Sequence, residues 1–86
     1  MKIYMKPIEM IAWFTEAGKP HPIRYRYRED HQYQMVRVDR VLQRSEEKLA
    51  GNRTIIYRCQ SLIQGAEKIY ELKYEISTCR WYLYKI

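Results

Sequence analysis

Glycine and proline are scarce, with three of each in 86 residues, too few for a low-complexity or linker-like chain. Cysteine is scarcer still. Cys59 and Cys79 stand alone and far apart, so a disulfide-stapled scaffold is excluded, although one bridge between them is left open until their spatial separation is known. No apolar run approaches the ~20 residues that span a bilayer as a helix, and no amphipathic basic helix offers a membrane-surface anchor. The opening Met1-Lys2-Ile3-Tyr4 leads into Lys6, Pro7 and Glu9 rather than a leader-like apolar stretch, so a cytoplasmic protein with reduced thiols is expected.

The chemistry of sites is also thinly represented. There is no glycine-rich phosphate loop and no Gly-x-Ser-x-Gly or Cys-His signature. The only histidines are His21, between two prolines, and His31, beside a turn. Ser45, Ser61, Ser77 and the two thiols lack a neighbouring base in sequence, and they read as turn and packing residues. His21, His31, Cys59 and Cys79 are ligand types for zinc, but structural zinc sites draw ligands in close pairs, and none occurs here. The acidic pairs Glu29-Asp30 and Glu46-Glu47 fall in expected connections, where carboxylates are solvated rather than held with shifted pKa values. The expectation is a protein that is not an enzyme and carries no cofactor or metal.

What the chain does contain is tyrosine and positive charge. Apolar residues make up 47% of the chain while its mean hydropathy is −0.64, because nine tyrosines bring rings and hydroxyls together. A core partly built of tyrosine is implied, with the hydroxyls reaching the rim or a polar partner. Sixteen Lys and Arg against ten Asp and Glu leave a formal charge of +6, which favours anionic partners.

Period-two patterning runs through most of the chain and predicts strands. Residues 8–15 are apolar on both faces, as in a strand covered on both sides or one closing a barrel. The first five residues, which run into a second Met-Lys at Met5-Lys6, are expected to be loosely ordered. The cluster Ala17-Gly18-Lys19-Pro20-His21-Pro22 reads as a turn, after which residues 23–28 alternate Ile23, Tyr25 and Tyr27 with Arg24, Arg26 and Arg28. A third strand is expected over about 32–42. With Glu29-Asp30 as a two-residue loop, it adds His31, Tyr33, Met35 and Arg37 to the arginine face and Val36 and Val38 to the buried one. A one-residue change of loop would expose the valines instead. The Asp39-Arg40 step reads as a β-bulge.

Residues 44–52 read as a polar connection with a helical turn over Ser45–Gly51, capped by Ser45 and ended by Gly51. Residues 53–62 set Ile55, Tyr57 and Cys59 against Thr54, Ile56 and Arg58. Residues 68–76 set Tyr70, Leu72, Tyr74 and Ile76 against Glu71, Lys73 and Glu75, and residues 80–86 set Trp81 and Leu83 against Tyr82 and Tyr84. The predicted fold is one all-β domain over residues 1–86: a mostly antiparallel six-stranded meander closing into a barrel or a highly curved sheet.

Pro22-Ile23-Arg24-Tyr25-Arg26, then Tyr33, Val36 and Val38, Tyr70-Glu71-Leu72 and Arg80-Trp81-Tyr82-Leu83 together resemble small bacterial proteins known only as domains of unknown function. The resemblance covers most of the chain from about Lys6 onward. It implies a short, all-β, cytoplasmic protein without an assigned enzyme activity. One similar group is sometimes encoded beside DNA-repair polymerases, and the resemblance to it favours nucleic acid as the ligand.

The sequence therefore offers one candidate site: Arg24, Arg26, Arg28, Tyr33 and Arg37 on a single sheet face. Small barrels hold single-stranded nucleic acid by laying its backbone along Lys and Arg while bases stack on aromatics. The competing expectation is an adaptor that binds an acidic protein through Arg, Tyr and Trp13 or Trp81, or through a sheet edge, and a homodimer is also left open.

Overall fold

The computed structural model describes residues 1–86. It contains seven strands and no helix: β1 (Ile3–Phe14), β2 (Pro20–Glu29), β3 (Gln32–Arg37), β4 (Arg40–Leu49), β5 (Asn52–Ile63), β6 (Ala66–Glu75) and β7 (Arg80–Lys85). All pair antiparallel in one sheet of order β3-β2-β1-β7-β6-β5-β4. The chain is all-β as its patterning predicts, but it has one strand more than the expected six.

The extra strand is β4. Of the Ser45–Gly51 stretch expected as a helical turn, residues 45–49 are extended and belong to a strand that pairs with β5 from Arg40↔Gln60 to Leu49↔Asn52. Its alternation is hard to read because β4 is an edge strand with both faces largely exposed. Charged side chains such as Glu46, Glu47 and Lys48 suit such an edge because they discourage further strand addition. The acidic pair Glu46-Glu47 accordingly sits in a strand and not in a connection. Ala50 and Gly51, both at positive φ, make a two-residue turn that closes the hairpin.

β3 and β4 lie at opposite edges of the sheet, yet only Val38 and Asp39 connect them. Three chain steps span at most ~11 Å, so the sheet must roll until its two edges meet at this connection. The crossing is clamped from both sides. Val38 N–H donates to the Ile23 carbonyl at 2.8 Å and Asp39 N–H to the Gln60 carbonyl at 3.1 Å. Ser61 Oγ donates to the Arg37 carbonyl at 2.6 Å, and Leu62 N–H donates to Asp39 Oδ2 at 2.8 Å. Beyond the crossing β3 and β4 do not touch. Of the two expected forms, a barrel or a highly curved sheet, the barrel does not form: the sheet is rolled with an open seam, and the supposed bulge at Asp39-Arg40 is the point where the chain passes from one edge to the other.

Rolling brings Tyr25 and Val36 of the β2–β3 hairpin onto Cys59, Tyr70 and Leu72 of β5 and β6, with Ile55, Tyr57, Tyr74, Trp81 and Leu83 completing the buried cluster. Tyr25 meets Tyr70 edge-on at 6.0 Å between ring centroids, and Trp81 packs between Tyr57 at 5.5 Å and Tyr74 at 4.7 Å. The tyrosine core is real, and its hydroxyls find partners inside: Tyr57 donates to the Pro20 carbonyl at 2.5 Å. Burial pushes the Tyr70 and Tyr74 phenols up to about 12, so the core stays uncharged well into alkaline pH. Cys59 lies inside it, its thiol likewise pushed up to about 12 by burial. Cys79 lies exposed in the β6–β7 turn, and both thiols are free.

Four local corrections follow from the same geometry. β1 starts at Ile3 rather than Ile8, so the residues expected to be loose are paired: Ile3–Ile8 run along β7 and Glu9–Phe14 along β2. β2 starts at Pro20, not after Pro22. The prolines are tolerated because β3 ends opposite Arg24, leaving that stretch of β2 paired only to β1. Ile23, expected inside, is skipped in the pairing with β1 and is 40% exposed, while Pro22 takes the buried position. Ile76, expected beside Tyr74, falls after β6 and is exposed.

The β2–β3 hairpin turns on Asp30 and His31, with φ of 51° and 65°, a pair of left-handed residues that favours glycine at the second position. Replacing His31 with glycine would create the preferred Asp-Gly turn. The expected gain is about 1 kcal/mol, seen as a rise of roughly 4–8 °C in the midpoint of a thermal melt.

Candidate functional site

The β2–β3 register places the five candidate residues on one outer face, by a route different from the expected one. The loop is Asp30-His31 rather than Glu29-Asp30, so Arg28 faces Tyr33, Arg26 faces Met35 and Arg24 faces Arg37. The pairing is displaced by two residues, which preserves the face of every side chain. Val36 is buried and Val38 half-buried, while His31 leaves the face for the turn.

β1 supplies the other border. Ile8, Met10 and Ala12 pack inward, which sends Glu9, Ile11 and Trp13 outward. Ile11 and Trp13 are 54% and 53% exposed, so β1 is not covered on both sides as its composition suggests. Across the face, successive rows hold Trp13 with His21, then Ile11 with Arg24 and Arg37, then Glu9 with Arg26 and Met35, and finally Arg28 with Tyr33. The bulge at Ile23 makes this possible. Without it, Arg24 and His21 would lie on opposite faces.

The charges on this face are only partly neutralised. Arg26 Nε donates to Glu9 Oε1 at 2.6 Å, and Arg37 Nε donates to Asp39 Oδ1 at 2.9 Å. Arg24 and Arg28 have no carboxylate within ion-pair distance. The Arg26 guanidinium lies 4.4 Å from the centroid of the Tyr33 ring and that of Arg28 lies 5.8 Å from it, which holds the ring while leaving Tyr33 51% exposed. A depression of about 320 Å³ between β1 and β3 is lined by Ile11, Arg24, Arg26 and Met35, with Tyr25 and Met10 beneath.

Asp39 ties this face to the seam. Its carboxyl is held below the usual aspartate range, first by the Leu62 N–H and then by Arg37. A folded-state pKa below the unfolded one means that the stabilisation is complete above the unfolded value of about 3.9 and is lost as pH falls through the folded value. The Leu62 amide proton resonance should therefore titrate with a midpoint below 3.9, followed by NMR, and its exchange protection should fall in the same window.

Other residues weighed from sequence are dispersed. No group of three or more His, Cys, Asp and Glu gathers as a metal site. His21 stacks on Trp13, with ring centroids 4.2 Å apart and planes 11° apart. Ser61 is buried with its hydroxyl committed to the Arg37 carbonyl and the Tyr70 hydroxyl. Of the two tryptophans expected as interface anchors, Trp81 belongs to the core at 7% exposure, and only Trp13 is at the surface. A wider cleft of about 680 Å³, where β1 parts from β7, is lined chiefly by apolar residues such as Met10, Phe14, Tyr74 and Trp81, with Glu9 and Arg80 its only charged residues. No helix is long and apolar enough to cross a membrane.

Sequence reasoning missed Trp13, Ile11 and His21 as parts of the face. The alternation of β1 groups Ile11 with Trp13 on one side and Ile8 with Met10 and Ala12 on the other, but only the packing of the second set on the core shows which side is outside. Comparison with family models, with curated proteins and with solved structures finds no match.

Proposed function

We propose that the protein is a non-enzymatic, cytoplasmic binding module that takes single-stranded nucleic acid on the outer face of β1, β2 and β3. The observation that carries the reading is the direct opposition of Arg24 and Arg37 on adjacent strands, beside a tyrosine held open by two further arginines. Like charges placed opposite each other across strands destabilise a sheet. A phosphate between them converts that repulsion into two charge-assisted hydrogen bonds. Tyr33 supplies a ring for a base, and Arg26 and Arg28 extend the cationic track.

A second reading has its own support. Ile11 at 54% and Met35 at 72% exposure border Arg24, and such apolar residues beside Arg, Tyr and Trp also form protein interfaces. An acidic protein would use the same arginines, or pair with β3, which is an edge strand. A second copy of the chain would meet the same surface, as sedimentation would show.

Fluorescence anisotropy of labelled single-stranded DNA, single-stranded RNA and duplex, titrated at low and at physiological salt, separates the readings. The expected result is single-strand binding that persists at physiological salt, weakens linearly on a log–log salt plot, and exceeds duplex binding. Binding confined to low salt would transfer the face to a protein partner.

A further inference from the structure

We infer that the Trp13–His21 stack is a second base platform, so that one nucleic-acid strand lies along β2 with a base stacked at each end of the face. This rests on the single-strand reading above and extends it to residues outside the arginine cluster.

Trp13 and His21 are register partners on β1 and β2, with their rings nearly parallel at 4.2 Å. Histidine covers one side of the indole, yet Trp13 remains 53% exposed, so the other side is open to a flat ligand. An indole fixed by a stacked neighbour loses little freedom when a base is added, which favours binding. The platform stands beyond the end of β3, where the sheet face narrows to β1 and β2, so no neighbouring strand obstructs it.

The distance between platforms sets the ligand. His21 and Arg28 lie about six regular steps apart along β2 once the bulge at Ile23 is allowed for, or ~20 Å. A stacked strand advances ~3.4 Å per nucleotide, so about six nucleotides reach from Tyr33 to Trp13, and fewer if the strand is drawn out. Arg26, Arg24 and Arg37 fall between the two rings, where the backbone must pass. A duplex offers no unstacked base to either ring, so the same spacing disfavours it.

The indole reports on its own site, because Trp81 is buried and Trp13 is not. Tryptophan emission of the wild-type protein would be titrated with oligothymidylates of two to ten nucleotides at physiological salt, and the affinities of the wild type, Trp13→Ala and Trp13→Phe would be compared by fluorescence anisotropy of the same oligothymidylates carrying a label. Quenching, an affinity that climbs until about six nucleotides and then levels, a loss of about tenfold in Trp13→Ala and near-wild-type affinity in Trp13→Phe are expected. Arginine-dependent binding that neither quenches the indole nor responds to Trp13→Ala would overturn the platform while the nucleic-acid reading stands. A wild-type protein that binds no oligonucleotide would overturn both and leave the face to a protein.

Discussion

Serine at positions 24, 26 and 28 together should abolish most single-strand affinity while leaving a folded protein. Each phosphate contact to a single strand contributes a log–log salt slope of about −0.7, so three contacts are worth about fiftyfold at 0.15 M salt relative to 1 M, before any stacking is lost. The salt slope itself should fall by about two, a signature that a general loss of structure would not give. The fold should survive because all three side chains are exposed. The one ion pair removed, Arg26 with Glu9, is at the surface, where screening leaves such pairs little net worth. Losing two cations beside the exposed Tyr33 ring costs similarly little, and relief of the Arg24–Arg37 opposition offsets part of it. Anisotropy and thermal melting on the same preparation decide the matter. Undiminished binding by a variant that melts like the wild type would place the ligand elsewhere on the molecule.

The arginine face is legible in the sequence because two signals coincide on β2. The period of two divides Arg24, Arg26 and Arg28 from Tyr25 and Tyr27, and only one of those sets can be buried. That parity survives a misplaced turn: moving the loop from Glu29-Asp30 to Asp30-His31 slides the hairpin by two residues and leaves Tyr33, Met35 and Arg37 on the same side. The turn is easily misplaced because neither Asp30 nor His31 advertises positive φ as glycine would. Where glycine is present, the sequence places the turn within Gln64-Gly65-Ala66-Glu67, and the structure turns on its first two residues, with Ala66 and Glu67 already paired in β6.

What is not legible depends on partners distant in sequence. β4 looks like a connection because an edge strand needs no buried side, so Glu46, Glu47 and Lys48 carry no alternation to detect. The break at Val38 and Asp39 exists because the sheet rolls until β3 reaches β5, and nothing within the 32–42 run encodes where β5 will be. Ile23 reads as a core residue until β1 is laid beside it and the pairing passes from Arg24 to Pro22. Trp13 needs the same partner, since a strand apolar on both sides does not say which side is covered.

Replacing Ser61 with alanine should cost about 2 kcal/mol and loosen the seam, an effect opposite in kind to that of the arginine variant. Ser61 is fully buried and its hydroxyl has one proton. That proton goes to the Arg37 carbonyl at 2.6 Å, so the 2.5 Å contact with Tyr70 must use the Tyr70 proton, with Ser61 as acceptor. Alanine therefore orphans a buried phenol and a half-buried carbonyl at once. Leaving a buried polar group unsatisfied costs ~1–3 kcal/mol, and the carbonyl at the seam recovers part of its share from water. For a domain of this size that is a fall of roughly 8–16 °C in the thermal midpoint. Tyr70→Phe removes only the donor and should cost less, about 1 kcal/mol. The double variant should cost less than the two single changes combined, because both remove the same bond. Arg37 is the last residue of β3 and is held by this carbonyl, so Ser61→Ala should also weaken oligonucleotide binding, by severalfold rather than fiftyfold. A thermal melt unchanged by Ser61→Ala would mean that the seam is held by Asp39 and the Val38 amide alone.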